Sequence, residues 1–218
     1  MKTRGLVLDS RRYRTSVMPP LSLEDTSRFG NDGVFIGATA WVQLLSGLWV
    51  MSFDGATSRV NCGTDVSLRP TGDKLTLEMW ANISQSALQG FMDSTQAGEG
   101  YRLAVDASRR ILFDAFIGGI QRSMTAALSL LTVGRWAHCV GVYDGTNMII
   151  YQDGTFRNSQ AQAGNLDASS VSLDLGSIWG GAIWFLLGYL AFVKVYNYAL
   201  SAADIWAHFQ AERRWFGV

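Results

Sequence analysis

Short alternations of apolar and polar residues, each closed by a Gly, Asp or Asn turn, recur along most of this chain. Leu77, Met79, Ala81 and Ile83 alternate with Glu78, Trp80 and Asn82, and Tyr101, Leu103 and Val105 alternate with Arg102 and Ala104. A period of two sends successive side chains to opposite faces of a pleated strand. Many such segments at close spacing predict an all-β sandwich rather than a helical or α/β fold. A hairpin is expected where the turn at 106–110 leads into Ile111 to Phe116. A meander is expected from Trp136 to Tyr143, through Asp144-Gly145-Thr146-Asn147 to Met148–Gln152, then through Asp153-Gly154 to Thr155 onward. Asp-Gly favours such reversals because glycine accepts the positive φ that a tight turn requires.

The segments Trp136 to Tyr143 and Leu187 to Tyr196 are apolar on both faces, which places them inside a layered stack and away from its rim. One helix is expected, at about 202–214. Ser201-Ala202-Ala203-Asp204 forms a capping box with Asp in place of Glu or Gln, and Ile205 and Phe209 supply an apolar stripe four residues apart. Neither a Pro- or Ser-rich linker nor a repeat of 20–50 residues divides the 218 residues, so one domain spanning 1–218 is the economical reading.

Composition excludes several function classes. Equal numbers of basic and acidic residues, 18 each, lack the basic footprint of a nucleic-acid binder. Cys62 and Cys139 are the only cysteines, and His138 and His208 the only histidines. A CxxC zinc site, a disulfide-dense scaffold and an imidazole zinc cluster are all ruled out. Two buried free thiols are the leading expectation, with a single Cys62–Cys139 bridge as the alternative. Leu175 to Val193 carries no charge, but glycines at 176, 180, 181 and 188 interrupt it. Its preceding alternation is that of a strand, so membrane insertion is not expected. Met1 to Asp9 has early charges, with Arg11, Arg12 and Arg14 close behind, and no apolar stretch of secretory-signal length. The expectation is either use without Sec export or a leader already removed.

Taken in order, the segments Asp25–Gly33, Met51–Gly55, Leu77–Trp80, Gly134–His138, Tyr143–Gly145, Tyr151–Gly154 and Gly188–Leu200, followed by the capped helix, resemble the laminin G-like branch of the concanavalin A-like lectin/glucanase jelly rolls. The resemblance covers roughly residues 5 to 210 and implies a two-sheet antiparallel jelly-roll β-sandwich with one short C-terminal helix. It implies little about function, since this scaffold hosts glycan binders, adhesion modules, hydrolases and virion parts.

The residues themselves argue against catalysis. Paired-carboxylate hydrolysis needs two acids about 5–10 Å apart, yet Glu24, Glu78, Glu99 and Glu212 form no E-x-D-x-E run, and Asp114 and Asp174 each stand alone on their strands. A pair assembled from different strands is the remaining route. His138 is expected to be a buried structural histidine bonded to a backbone carbonyl, on the same face as Trp136. Trp136, Trp80 and Trp49 read first as core residues. Relatives bind calcium through acidic loops, so the resemblance offers Asp25, Asn31, Asp32 and Asp54 as ligands. Ala191 and Phe192 stand where the family often has two acids, and polar turns capping their own backbone account for Asp25 and Asp54.

The uncharged run Ile178 to Leu187 holds more rings than one core readily absorbs. Trp179, Ile183, Trp184, Phe185 and Phe192 are therefore candidate contacts for a second copy or a larger particle. The leading expectation is a non-catalytic structural or adhesive module of an oligomer or of a virus or phage virion, displayed at the virion surface or extracellularly. The alternative is a lectin-like domain using Trp41 or Trp80 with Asn82 as a sugar platform; a glycoside hydrolase is the remote third.

Overall fold

A computed structural model describes residues 5–10, 13–14, 16–127 and 130–218. Met1–Arg4, Arg11 and Arg12, part of the charged N-terminal segment noted above, lie outside them. The strands in chain order are β1 (Leu6–Asp9), β2 (Ser22–Leu23), β3 (Gly33–Ile36), β4 (Ala40–Gln43), β5 (Trp49–Asp54), β6 (Arg59–Asn61), β7 (Leu75–Ile83) and β8 (Gln89–Gln96). They continue as β9 (Glu99–Val105), β10 (Ile111–Ile117), β11 (Ile120–Thr125), β12 (Trp136–Tyr143), β13 (Asn147–Gln152), β14 (Thr155–Ala161), β15 (Asp174–Leu175) and β16 (Leu187–Tyr196). The helix α1 spans Ala202–Glu212.

Two antiparallel eight-stranded sheets face each other. The back sheet runs β14-β13-β12-β7-β16-β5-β4, with β1 also paired to β16, and the front sheet runs β11-β10-β9-β8-β15-β6-β3-β2. The expected hairpin and meander are present with the turns where the sequence places them. The strand expected from the alternation at Val171, Leu173 and Leu175 shortens to β15. Leu77, Met79, Ala81 and Ile83 of β7 enter the core between the sheets, as do Leu103 and Val105 of β9 and Phe113 of β10. Cys62 and Cys139 are buried free thiols, and burial pushes both upward in pKa, Cys139 well above the usual thiol range.

The outward face of the back sheet is also dry, which explains why β12 and β16 are apolar on both sides. Helix α1 and the tail after it lie across this face: Phe209 and Phe216 stack on Trp80 with ring centroids 5.8 and 4.2 Å away. Ile205 packs with Val140, Val142 and Tyr196. An isolated helix of 11 residues is marginal in water, so α1 depends on this packing and on its cap. That cap is the expected box, Ser201 Oγ accepting from the Asp204 N–H while Asp204 accepts from the Ser201 N–H.

Beneath α1 sits a buried polar cluster. Lys194 Nζ donates to Glu78 Oε1 at 3.1 Å and to Glu212 Oε1 at 2.8 Å. Trp80 Nε1 donates to Glu212 Oε2 at 2.8 Å. Both imidazoles meet Glu78, His138 through Nε2 and His208 through Nδ1, each at 2.9 Å. His138 is thus a buried structural histidine as expected, but its partner is a carboxylate and not a backbone carbonyl. Sequence separation of 60 residues hid that pairing. Burial alone would push the Glu78 carboxyl up; Lys194 and the two imidazoles outweigh it and hold the group well below the usual carboxylate range.

Glu78 with a depressed folded pKa contributes stability that is present above its unfolded pKa of ~4.3 and is lost as pH falls through the folded value. Replacing Lys194 by Met leaves Glu78 and Glu212 buried with no ammonium between them. The expected cost is about 3–5 kcal/mol, read as a lower midpoint of urea unfolding; a change below ~1 kcal/mol would show that the ammonium is not what holds the clasp.

Candidate functional site

The outward face of the front sheet is built differently. Its strand register sets one polar row side by side across the sheet: Asn61 opposite Asp174, Asp174 opposite Asp93, Asp93 opposite Arg102, Arg102 opposite Asp114, and Asp114 opposite Ser123. Each belongs to the face that alternation turns away from the core. Arg102 Nε donates to Asp114 Oδ2 at 2.8 Å, and a terminal guanidinium nitrogen of Arg102 contacts the same oxygen. Arg59 donates to Asp174 Oδ1 at 2.9 Å. Asp93 accepts from Thr95 Oγ1 at 2.6 Å and from the Trp179 N–H at 2.9 Å.

Over this row folds the segment between β15 and β16, the uncharged run singled out in the sequence. It is a tight reverse loop: Ile178 pairs with Ile183, Gly176 O accepts from Leu186 N–H, and Trp184 O accepts from Gly90 N–H. Gly176 starts it at φ +80°, where an added Cβ would lie 2.3 Å from the Phe53 ring. Ile178 and Leu186 are fully buried. Ile183, Trp184 and Phe185 are half-buried, whereas Trp179 stands out at 56% exposure.

Trp179 and Trp184 both hold positive φ, +53° and +54°. A bulky residue there is a genuine outlier, costing on the order of 1–3 kcal/mol. Such strain persists only where the surroundings over-determine it, and here the Asp93 carboxylate, the Gly90 amide and the two buried anchors do so.

The loop and the outward side of the front sheet frame a cleft of about 720 Å³ lined by Thr95, Gln96, Arg102, Gln121, Trp179 and Trp184 among others; of the polar row Arg102 lines it, while Asp93, Asp114 and Asp174 are buried. That is within the size range of small-molecule sites. Trp184 lies over the Arg102 guanidinium, 5.1 Å from carbon to ring centroid. The site thus combines an exposed indole, a half-buried indole and a floor of fixed polar groups.

The sequence-predicted residues distribute unevenly over this picture. Trp179, Ile183, Trp184 and Phe185 do cluster, but of the run Ile178 to Leu187 only Trp179 is a well-exposed large apolar side chain. The continuous greasy face expected from the run is therefore absent: its two anchors enter the core and the rest frames a cleft. Phe192 is a correction: it is buried against Phe216 beneath the C-terminal tail, with centroids 5.3 Å apart.

Trp80, Trp41 and Asn82 are corrections too, since all three are buried and none is a sugar platform. Trp80 lies under α1, and Trp41 donates its indole N–H to Pro20 O at 2.6 Å between Tyr13 and Phe35.

Of the calcium candidates, Asp25 accepts from the Asp9, Ser27 and Asn31 N–H groups, and Asp32 accepts from the Asp25 N–H. Asn31 Nδ2 donates to Val7 O at 2.6 Å. Asp54 accepts from the Ala56, Thr57 and Ser58 N–H groups. Slight desolvation raises the Asp54 carboxyl, and these bonds with the Thr57 hydroxyl drive it far below the usual range. These groups serve as turn caps.

A closer metal-like grouping among the described residues is Glu78, His138 and Glu212, where the Lys194 ammonium already bridges the carboxylates. No helix among the described residues is long and apolar enough to cross a membrane.

Arg102, Asp93, Gln96 and Gln121 were not anticipated as site residues. The signal was available in part: Arg102 and Asp114 occupy the outward positions of strands read correctly, but pairing across strands and the lid above them are not local properties.

The laminin G-like family model of the concanavalin A-like lectin/glucanases superfamily matches residues 54–206. Among solved structures, the binding domain of Paraclostridial Mosquitocidal Protein 1 superposes with a TM-score of 0.77 at 10% identity, over 95% of this chain and 52% of that one. The binding domain of Botulinum Neurotoxin DC in complex with SialylT gives 0.73 at 10% identity, over 96% and 52%. Domain 4 of AbnA, a GH43 extracellular arabinanase from Geobacillus stearothermophilus, in complex with arabinotriose, gives 0.65 at 13% identity, over 84% and 91%. This chain spans about half the length of the first two chains. At such identities the likeness establishes the fold. No curated protein matches by sequence.

Burial raises the Asp93 carboxyl above the ordinary aspartate range, against the bonds from Thr95 and Trp179 and the pull of Arg102. A carboxyl with a raised folded pKa contributes stability that is complete below its unfolded pKa of ~3.9 and is lost as pH rises through the folded value. The stability of the wild type relative to Asp93→Asn is therefore expected to grow as pH is lowered from 7 to 4, measured by urea unfolding across that range. A difference that stays flat or shrinks would show that Asp93 is not held in this way.

Proposed function

Because the chain belongs to the concanavalin A-like lectin/glucanase superfamily, we propose that it is a non-catalytic binding module that seats a glycan in the Trp179–Trp184 cleft. Membership decides the scaffold and leaves function to the site. The observation that carries the reading is the exposed Trp179 ring, held beside Trp184 in a strained conformation over a fixed polar floor. Saccharides have faces of C–H groups rimmed by hydroxyls. A flat aromatic ring covers the first, and convergent polar side chains meet the second. That domains of this shape have been solved with SialylT and with arabinotriose supports the same class of ligand.

Binding without bond cleavage is the further part of this reading. Asp93 and Asp174 are the one cross-strand carboxyl pair of the row. Both are buried, with their oxygens turned to Thr95, the Trp179 N–H, Arg59, Asn61 and Ser172. A general acid needs to reach the bond it protonates, and these two face their own loop.

Trp179→Gly separates function from architecture. Glycine relieves the positive-φ strain of about 1–2 kcal/mol and loses roughly 0.5–1 kcal/mol to unfolded-chain entropy. The expected stability is unchanged or slightly higher, while affinity for a glycan identified on an array falls at least about tenfold, or ~1.4 kcal/mol. Calorimetric titration and thermal unfolding of both proteins check this. Undiminished glycan affinity in the variant would overturn the proposed site.

A further inference from the structure

Taking the glycan reading as its premise, we propose that the cleft accepts saccharides bearing no acidic group and discriminates against sialylated, uronic or sulfated ones. Beneath the lining, the row sets three buried carboxylates, Asp93, Asp114 and Asp174, against two guanidiniums, Arg102 and Arg59. Each cation is paired with a carboxylate of the row. Arg102 is almost fully buried and clamped to Asp114 beneath the Trp184 ring. Arg59 is committed to Asp174 and packs so closely on Gly181 that an added Cβ there would lie 2.6 Å from its Cδ and Nε. Asp93 is left with the neutral donors Thr95 and the Trp179 amide.

The floor also strips donors from the lining. Gln121 Nε2 is directed to Asp114 Oδ2 and Ser123 Oγ, both at 3.3 Å. Gln96 Nε2 is directed to Glu99 Oε1 at 2.7 Å and Ser170 Oγ at 2.6 Å. Ser172 Oγ donates to Asp174 Oδ2 at 2.8 Å, and Thr95 Oγ1 to Asp93. Each amide nitrogen has two protons to give, and each is shown with two acceptors inside the protein. Their donors are thus engaged within the protein, and each amide retains an oxygen that can accept.

Bonded to Gln96 of the lining, Glu99 adds a carboxylate held low by the Ser170 hydroxyl and N–H, with Arg69 contributing a weaker pull. A ligand that brings hydroxyl protons satisfies such a surface. A ligand that brings a carboxylate or sulfate meets lone pairs and an excess of like charge in a partly desolvated space, where screening is weak.

The test uses the intact chain and matched pairs: a galactose-terminated oligosaccharide with its sialylated form, and a neutral glucan oligomer with its uronic-acid counterpart. Each is titrated by calorimetry at low and at physiological salt. The neutral member of a binding pair is expected to be at least about tenfold tighter, with a wider gap at low salt. Asp93→Asn, which keeps an acceptor for the Trp179 N–H, is expected to narrow the gap. An acidic member that binds as tightly as its neutral match, or more tightly, overturns the charge class and leaves the glycan site standing. Failure of any saccharide to bind the cleft overturns the glycan reading and this inference with it.

Discussion

The structure depends on one constraint: the central strands of the back sheet are apolar on both faces, so a second cover is obligatory. Helix α1 and its tail supply that cover, and the buried Lys194 ammonium ties it down by joining Glu78 of β7 to Glu212 of α1. Removing two carboxylates and an ammonium from water is costly, and only dense hydrogen bonding repays it. Trp80, Tyr196 and both imidazoles provide that density. The charges confer position more than stability. A purely greasy seam would let α1 slide along the sheet, while the Lys194 and Glu212 pairing has one register.

With the middle of the back sheet covered by its own chain, the proposed cleft falls on the front sheet. Its outward row is charged, yet much of it is buried, because the loop between β15 and β16 lies across it. The two faces thus use charge in opposite ways. Behind, Lys194 sits between its two carboxylates and completes a closed network. In front, three carboxylates outnumber the two guanidiniums and draw the neighbouring donors inward.

Much of the fold was legible because β-alternation is local. Leu77, Met79, Ala81 and Ile83 were assigned inward on period alone, and the capping box at Ser201 and Asp204 located the helix start. What was not legible was whatever covers an outward face. Glu78, Trp80 and Asn82 occupy positions that alternation sends out, and the chain offers no local sign that α1, more than a hundred residues later, returns to bury Glu78 and Trp80. The same gap misplaced Trp80 as a sugar platform and Phe192 as a docking contact. The run at 178–187 was correctly singled out for its surplus of rings. Its true form, a loop anchored in the core near its two ends by Ile178 and Leu186, turns on the positive φ values of Trp179 and Trp184, which no propensity assigns to tryptophan.

Those two backbone outliers bear on how the cleft would bind. Ordering side chains and loops at the moment of association costs affinity, and an exposed indole on a slack loop would incur that cost in full. Here the ordering is completed during folding. Ile178 and Leu186 are packed in the core, the Trp184 carbonyl is bonded to Gly90, and the Trp179 amide is bonded to Asp93. The free energy that holds the strained loop is drawn from the sandwich beneath it. A rigid aromatic wall over a fixed acceptor floor is then ready before any ligand arrives. The site trades a small part of the fold's stability for preorganisation, and that exchange makes sense for Trp179 only if its ring is used.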